Sequence, residues 1–274
     1  LKISQQVFLP HYVNILAFCP LLRYHSKTKQ KKSTKKREIF MKIIAGNWKM
    51  NGSRSELEKM VSDLESVDTQ NTVILCVPFT MLGISGCRTL LGAQDVSTHT
   101  HGAYTGEVSA QMIADTGAKY VIVGHSERRQ YHEESNNTVR EKAEMALANG
   151  LIPIICVGET MAEKQAGKTM AVIESGVRES IPSDVQTDII VAYEPRWAIG
   201  AGLTPTHAEI ATAHKLIADT LTQMGLSGTP ILYGASVNGD NSADIMSIAN
   251  VDGVLVGGAS LKSEKFIPII TSVK

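Results

Sequence analysis

From Lys42 onward the chain alternates two kinds of hydrophobic pattern. Short apolar runs rich in Val, Ile and Leu lie near 42–46, 73–77, 90–93, 120–123, 152–157, 189–192, 231–233 and 253–256. They show little polar alternation, the pattern of strands buried on both faces. The segments between them carry apolar residues at helical spacing. Ser53 and Glu56 have the spacing of a capping box ahead of Leu57, Met60, Val61 and Leu64. A helix is expected over 137–148, with Val139, Ala143, Ala146 and Leu147 on one face and Asn149-Gly150 as its stop. Another is expected over 207–224, ending at Gly225. Strands that alternate with helices imply right-handed βαβ units and a parallel sheet. Eight units in 234 residues fit a closed (β/α)8 barrel, which takes about 250 residues. The alternation alone leaves an open, doubly wound sheet as the second possibility.

The first forty residues do not follow this pattern. The apolar stretch 7–22 is interrupted by Pro10, His11, Asn14 and Pro20, and it is shorter than the roughly 20 residues a membrane span requires. Its charges follow the apolar run, the reverse of a secretory signal. The lysine-rich SKTKQKKSTKKR then has no apolar periodicity, so disorder is expected there. Residues 1–40 are thus set apart from a barrel over 41–274, as an upstream stretch outside the mature protein, a presequence for organellar import, or a basic arm for nucleic acid or anionic lipid.

Charge sharpens that division. Residues 1–40 hold nine Lys/Arg against Glu38 alone, so the remainder has 18 basic and 26 acidic residues and a net charge of −8. An acidic body disfavours a general nucleic-acid surface on the barrel, and no membrane association is expected of it. Cys19, Cys76, Cys87 and Cys156 show no CxxC spacing and no Cys/His cluster. Reduced thiols, a cytoplasmic location and no metal are the expectation.

In either architecture the chemistry belongs at the C-terminal ends of the strands, and unusual polar residues collect there. The first run leads into Asn47-Trp48-Lys49, the fourth into Gly124-His125-Ser126-Glu127, and the sixth into Tyr193-Glu194-Pro195-Arg196-Trp197. Each has an ordinary alternative: a surface lysine, a structural histidine, a turn-capping carboxylate. A carboxylate directly after an apolar strand is also placed as a general base, and a histidine opening a helix as an acid, base or hydrogen-bond donor. Gly200, Gly202, Gly257 and Gly258 could be turn glycines only, yet bare N–H groups in glycine bends are what a phosphate requires. Several such elements in barrel order carry more weight than any one alone.

The segments GNWKMNG, VGHSERR, YEPRWAIGAG, YGASV and VLVGGASL resemble the signature segments of the triosephosphate isomerase family, in family order, across nearly all of 41–274. The resemblance implies a single-domain TIM barrel that interconverts dihydroxyacetone phosphate and glyceraldehyde 3-phosphate in glycolysis and gluconeogenesis, without metal or organic cofactor. It implies Glu194 as proton acceptor, His125 as neutral electrophile, and Lys49 and Asn47 as substrate-holding groups, with Glu127 supporting Lys49. It further implies substrate contacts from Trp48, Gly200, Ser236, Gly257 and Gly258, and a lid over 195–202. Gln94, Thr105, Gly106 and Glu107 resemble the family's dimer-forming third loop, so a homodimer through 94–107 is implied. Leu203, Ala201 and Ala235 depart from the family's usual Lys, Thr and Gly and put the lid hinge and the fit around Ser236 in question.

Overall fold

The computed structural model describes residues 41–83, 89–185, 188–200 and 203–273. Eight parallel strands form one sheet in chain order: β1 (Ile43–Asn47), β2 (Thr72–Cys76), β3 (Thr89–Ala93), β4 (Tyr120–Val123), β5 (Ile152–Val157), β6 (Ile190–Tyr193), β7 (Ile231–Tyr233) and β8 (Gly253–Val256). β8 pairs back onto β1, with Ile44 opposite Val254 and Ala45 opposite Leu255. That closure excludes the open sheet. Every strand has two paired neighbours, so no backbone edge is left bare.

Absence of polar alternation has a direct cause. Ala45, Ile74, Ile122, Ile154, Ala192, Leu232 and Leu255 fill the inside of the barrel, together with the thiols of Cys76 and Cys156. The intervening residues, such as Ile44, Leu75, Val123 and Val191, pack outward beneath the helices. Both faces are dry, so both are apolar. Burial pushes the Cys76 thiol up to about 12 and the Cys156 thiol well above its ordinary value, so both stay protonated. Cys19, Cys87 and the segment 1–40 lie outside the described residues.

The helices are α1 (Arg54–Glu65), α2 (Ala110–Asp115), α3 (Ser126–Tyr131), α4 (Asn136–Ala148), α5 (Met161–Gln165), α6 (Thr169–Ser180), α7 (His207–Gln223), α8 (Ser242–Ser247) and α9 (Ser263–Ile270). α1 buries Leu57, Met60, Val61 and Leu64, as its spacing predicts. Its cap differs from the expected reciprocal box. Glu56 N–H donates to Ser53 Oγ at 3.3 Å, but the Glu56 carboxylate accepts from the Ser53 hydroxyl at 2.7 Å instead of from the backbone. Full boxes occur at Thr160/Glu163 and Thr206/Glu209, fixing the starts of α5 and α7. No helix among the described residues is long and apolar enough to cross a membrane.

Candidate active site

The strand ends gather the polar residues into one cavity of about 460 Å³. Asn47, Lys49, His125, Glu127, Glu194, Gly200, Ser236, Gly257 and Gly258 all line it. Nine of the ten expected site residues therefore converge.

Trp48 does not join them. Its ring is 1% exposed and fills the space beneath Gly52, where an added Cβ would lie 2.6 Å from the ring. Successive residues at the strand end point to opposite sides, so Asn47 and Lys49 face the cavity while Trp48 turns into the outer core. The expectation of a Trp48 substrate contact is corrected accordingly.

Lys49 adopts φ 52°, a region that a non-glycine residue enters only when its surroundings compel it. Two side chains do so. Lys49 N–H donates to Asn47 Oδ1 at 2.9 Å, and Gln94 Nε2 donates to the Lys49 carbonyl at 2.9 Å and to that of Cys76 at 3.0 Å. The ammonium then meets Glu127 Oε1 at 2.6 Å. Gln94, expected in an intersubunit loop, is thus also a brace for Lys49. No local pattern in the sequence signalled this bracing role.

His125 caps the N-terminus of α3. Gly124, at φ 67°, makes the sharp turn from β4; a Cβ there would lie 2.5 Å from the Val139 side chain. Glu127 N–H donates to His125 Nδ1 at 3.2 Å, so Nδ1 carries a lone pair and the ring proton resides on Nε2. Nε2 lies 3.1 Å from Glu194 Oε1. Nδ1 is thus the accepting nitrogen, and Nε2 presents an N–H to the cavity.

Glu194 follows β6 directly and is 2% exposed. Its own N–H donates to Val157 O at 2.8 Å, and Gly158 approaches so closely that a Cβ there would lie 1.8 Å from the Glu194 carbonyl oxygen. The end of β5 thereby fixes the backbone of Glu194. Ser126 N–H donates to Glu194 Oε2 at 2.9 Å. Burial pushes the carboxyl up, but His125, the Ser126 N–H and Lys49 outweigh it and hold it below the ordinary value. A buried carboxylate, an imidazole N–H donor and an ammonium thus share one small space, and such a set can move a proton next to a carbonyl and stabilise the charge that results.

Across the cavity, Gly200, Ser236, Gly257 and Gly258 form a wall with few side chains. Ala235 stands half-buried in it, and its methyl is accommodated. The preceding Gly234 is less tolerant, because a Cβ there would come within 3.0 Å of Glu194 Cγ. Leu203 is 44% exposed and does not line the cavity. Ala201 and Gly202 of the expected lid lie outside the described residues.

Comparison with known proteins agrees with this arrangement. The family model described as triosephosphate isomerase matches residues 42–273. The triosephosphate isomerase of Xanthobacter flavus is 43% identical over 243 residues, covering 84% of this chain and 97% of its own. That of Ruegeria sp. (strain TM1040) is 46% identical over 244 residues, covering 85% and 98%. The crystal structure of the enzyme from Bartonella henselae superimposes with a TM-score of 0.76 at 36% identity, covering 85% of this chain and 99% of that one. With fold, strand-end residues and relatives in agreement over the whole barrel, the chain belongs to the triosephosphate isomerase family.

Proposed function

We propose that the chain interconverts dihydroxyacetone phosphate and D-glyceraldehyde 3-phosphate, with Glu194 as the base and His125 as the electrophile. The observation that carries this reading is the His125 pair of contacts: Nδ1 accepts from a backbone N–H, and Nε2 lies 3.1 Å from the carboxylate of Glu194. Triosephosphate isomerase is itself the standard example of a glutamate base paired with a neutral histidine.

The steps follow from these groups. A substrate carbonyl oxygen takes the place of Glu194 Oε1 as the acceptor of the Nε2–H, and Asn47 and Lys49 face the same oxygen region. Glu194 removes a proton from the carbon beside the carbonyl, and the electron pair moves onto oxygen. Lys49 and His125 stabilise the enediolate, whose negative charge develops once the lid has closed the site to water. The hydroxyl proton on the first carbon passes to the enediolate oxygen on the second, and protonated Glu194 returns its own proton to that second carbon as the oxygen on the first becomes the new carbonyl. Base, electrophile and cation complete the balance without an added cofactor. The backbone N–H groups of Gly200, Ser236, Gly257 and Gly258 hold the phosphate.

The segment after Glu194 acts as a lid, and the working form is a dimer of this chain through 94–107. Residues 101–107 are exposed, His99 stacks on Tyr104 at 3.7 Å, and Met50 beside the cavity is 95% exposed. An apolar methionine so bare, next to a self-supporting loop, suits burial against a second copy. Sedimentation at micromolar concentration tests that assembly, and a monomer overturns it. The activity is tested by supplying glyceraldehyde 3-phosphate and following dihydroxyacetone phosphate with a coupled reductase. Turnover supports the reading; its absence from folded protein overturns it.

A further inference from the structure

Directly after Glu194 the chain runs through Pro195, Arg196 and Trp197, and the short helix α5 flanks it. Arg196 N–H donates to Glu159 O at 3.0 Å, and Trp197 Nε1 donates to Glu159 Oε1 at 2.7 Å. Lys164 of α5 places its ammonium 3.5 Å from the centre of the Trp197 ring. Trp197 is therefore held on one side by groups of α5 and the turn before it.

Arg196 leaves in another direction. Its half-buried side chain lines the reaction cavity and also a second, polar cavity of about 290 Å³, which it shares with Glu163, Arg129 and Ser175. Among the described residues its guanidinium makes no hydrogen bond or ion pair. Arg129 cannot serve it, because that guanidinium already donates to Gly124 O, Asn136 Oδ1, Cys156 O and Ser180 Oγ and carries the same charge. Glu163 can. Its Oε2 accepts from the Thr160 N–H and hydroxyl, which leaves Oε1 available. Burial pushes the Glu163 carboxyl up, but the Thr160 N–H and hydroxyl, and after them the charges of Arg196 and Lys168, hold it below its ordinary value. Successive residues of α5 thus address successive residues of the segment: Glu163 faces Arg196, and Lys164 faces Trp197.

We propose that Arg196 is a positioning residue for the reaction, whose attraction to Glu163 across this second cavity holds the segment 195–200 in the withdrawn form and sets how readily it covers the substrate. In the structure Gly200 is exposed and Ile199 half-buried at the mouth of the reaction cavity, and this arrangement is taken as the withdrawn one. The inference rests on the lid reading above and adds its control by charge.

The test compares Arg196→Met, Arg196→Lys, Glu163→Gln and the Arg196→Met/Glu163→Gln double variant; glutamine keeps an oxygen for Thr160. At low salt, Arg196→Met and Glu163→Gln each lower KM and kcat together by about two- to fivefold, the scale of a partly exposed ion pair. The cover then closes more readily and opens more slowly. The double variant matches the single ones, Arg196→Lys stays near wild type, and the differences shrink at about 0.3 M KCl. Trp197 gives an independent readout, since the other tryptophan, Trp48, is buried apart from the segment. Its emission shifts with salt in the wild type and not in Arg196→Met.

Multiplicative effects in the double variant, or failure of Arg196→Lys to restore the wild-type values, overturn the proposal. So does a raised KM and weaker inorganic phosphate inhibition in Arg196→Met with Glu163→Gln silent, because Arg196 then contacts the ligand directly. Unchanged kinetics and emission also overturn it. If the wild type does not isomerise triose phosphates, the functional reading fails, while the emission series still decides whether Arg196 and Glu163 are coupled.

Discussion

His214 provides a quantitative test of how the barrel was packed. It lies on α7, is fully buried, and its Nδ1 donates to Asn250 O at 2.9 Å. Among the described residues Nε2 has no hydrogen-bond partner, and the Tyr193 and Tyr233 rings lie 5.9 and 6.4 Å from the imidazole, centroid to centroid. Protonation would place a charge in this apolar setting, so burial lowers the pKa from 6.5 to about 4, against smaller opposing effects of the Asn250 carbonyl and Asp252. The sign follows from linkage. Between pH 6.5 and 4 the unfolded chain binds a proton at this site and the folded chain does not, so stability falls as pH falls. At about 1.4 kcal/mol per pH step, the loss attributable to His214 is on the order of 3 kcal/mol. His214→Phe keeps a ring but removes the titration. It also loses the bond to Asn250 O, which lowers stability at pH 8 by about 1–3 kcal/mol. Urea unfolding of both proteins from pH 8 to pH 4.5 measures the difference, since other titrating groups contribute equally. The gap should narrow by about 2 kcal/mol or more towards acid. Parallel pH curves would refute the reasoning.

The remaining predictions concern charge and positioning. Lys49→Ala raises KM and lowers kcat together, because the ammonium faces substrate in the ground state and the enediolate in the transition state; steady-state kinetics with both values unchanged would return Lys49 to a surface role. Gln94→Leu leaves the Lys49 and Cys76 carbonyls without their donor and lowers kcat about tenfold or more, while the shorter amide of Gln94→Asn recovers little, since misplacing Lys49 by about 1 Å costs on that scale. Lys142→Met breaks a buried network in which Lys142 meets Asp95 and Glu134 at 2.6 Å each and Arg128 meets both carboxylates. It destabilises by up to about 3–5 kcal/mol in thermal or urea unfolding, because Arg128 alone is left to neutralise two buried carboxylates.

Much of this was legible in the sequence, for identifiable reasons. All eight strands lie within about a residue of their apolar runs, because double-sided burial leaves no polar position to confuse the pattern. β1, β2, β3 and β6 each differ by one residue from the run: Asn47 pairs in β1 despite its polarity, Thr72 opens β2, Thr89 opens β3, and Ile189 stays outside β6 although it is apolar. Ladder pairing decides these ends, and hydropathy does not register it. Glu194, His125 and Lys49 were visible because each follows a strand end. Trp48 was misassigned because strand-end position does not state which way a side chain turns. The bracing role of Gln94 and the Ser126 N–H were missed for a different reason. They act through contacts with residues 45 and 68 positions away in the chain, and no local spacing encodes those. The true capping boxes at Thr160/Glu163 and Thr206/Glu209 were readable by the same rule that selected Ser53/Glu56, where geometry gave only half a box.

The most direct test of the account is proton transfer by Glu194 itself. Purified wild type and Glu194→Gln are incubated with glyceraldehyde 3-phosphate in D2O, and NMR follows both isomerisation and deuterium at the carbon beside the carbonyl. The glutamine retains the size of the side chain and an oxygen for the Ser126 N–H, so the fold is expected to persist, as circular dichroism and melting would verify. The wild type converts the substrate and incorporates deuterium. Glu194→Gln binds inorganic phosphate as the wild type does but loses isomerisation and exchange together, by a factor of about 10³ or more, since a neutral amide cannot accept the proton. Exchange at near wild-type rate in folded Glu194→Gln would contradict the account and require another base.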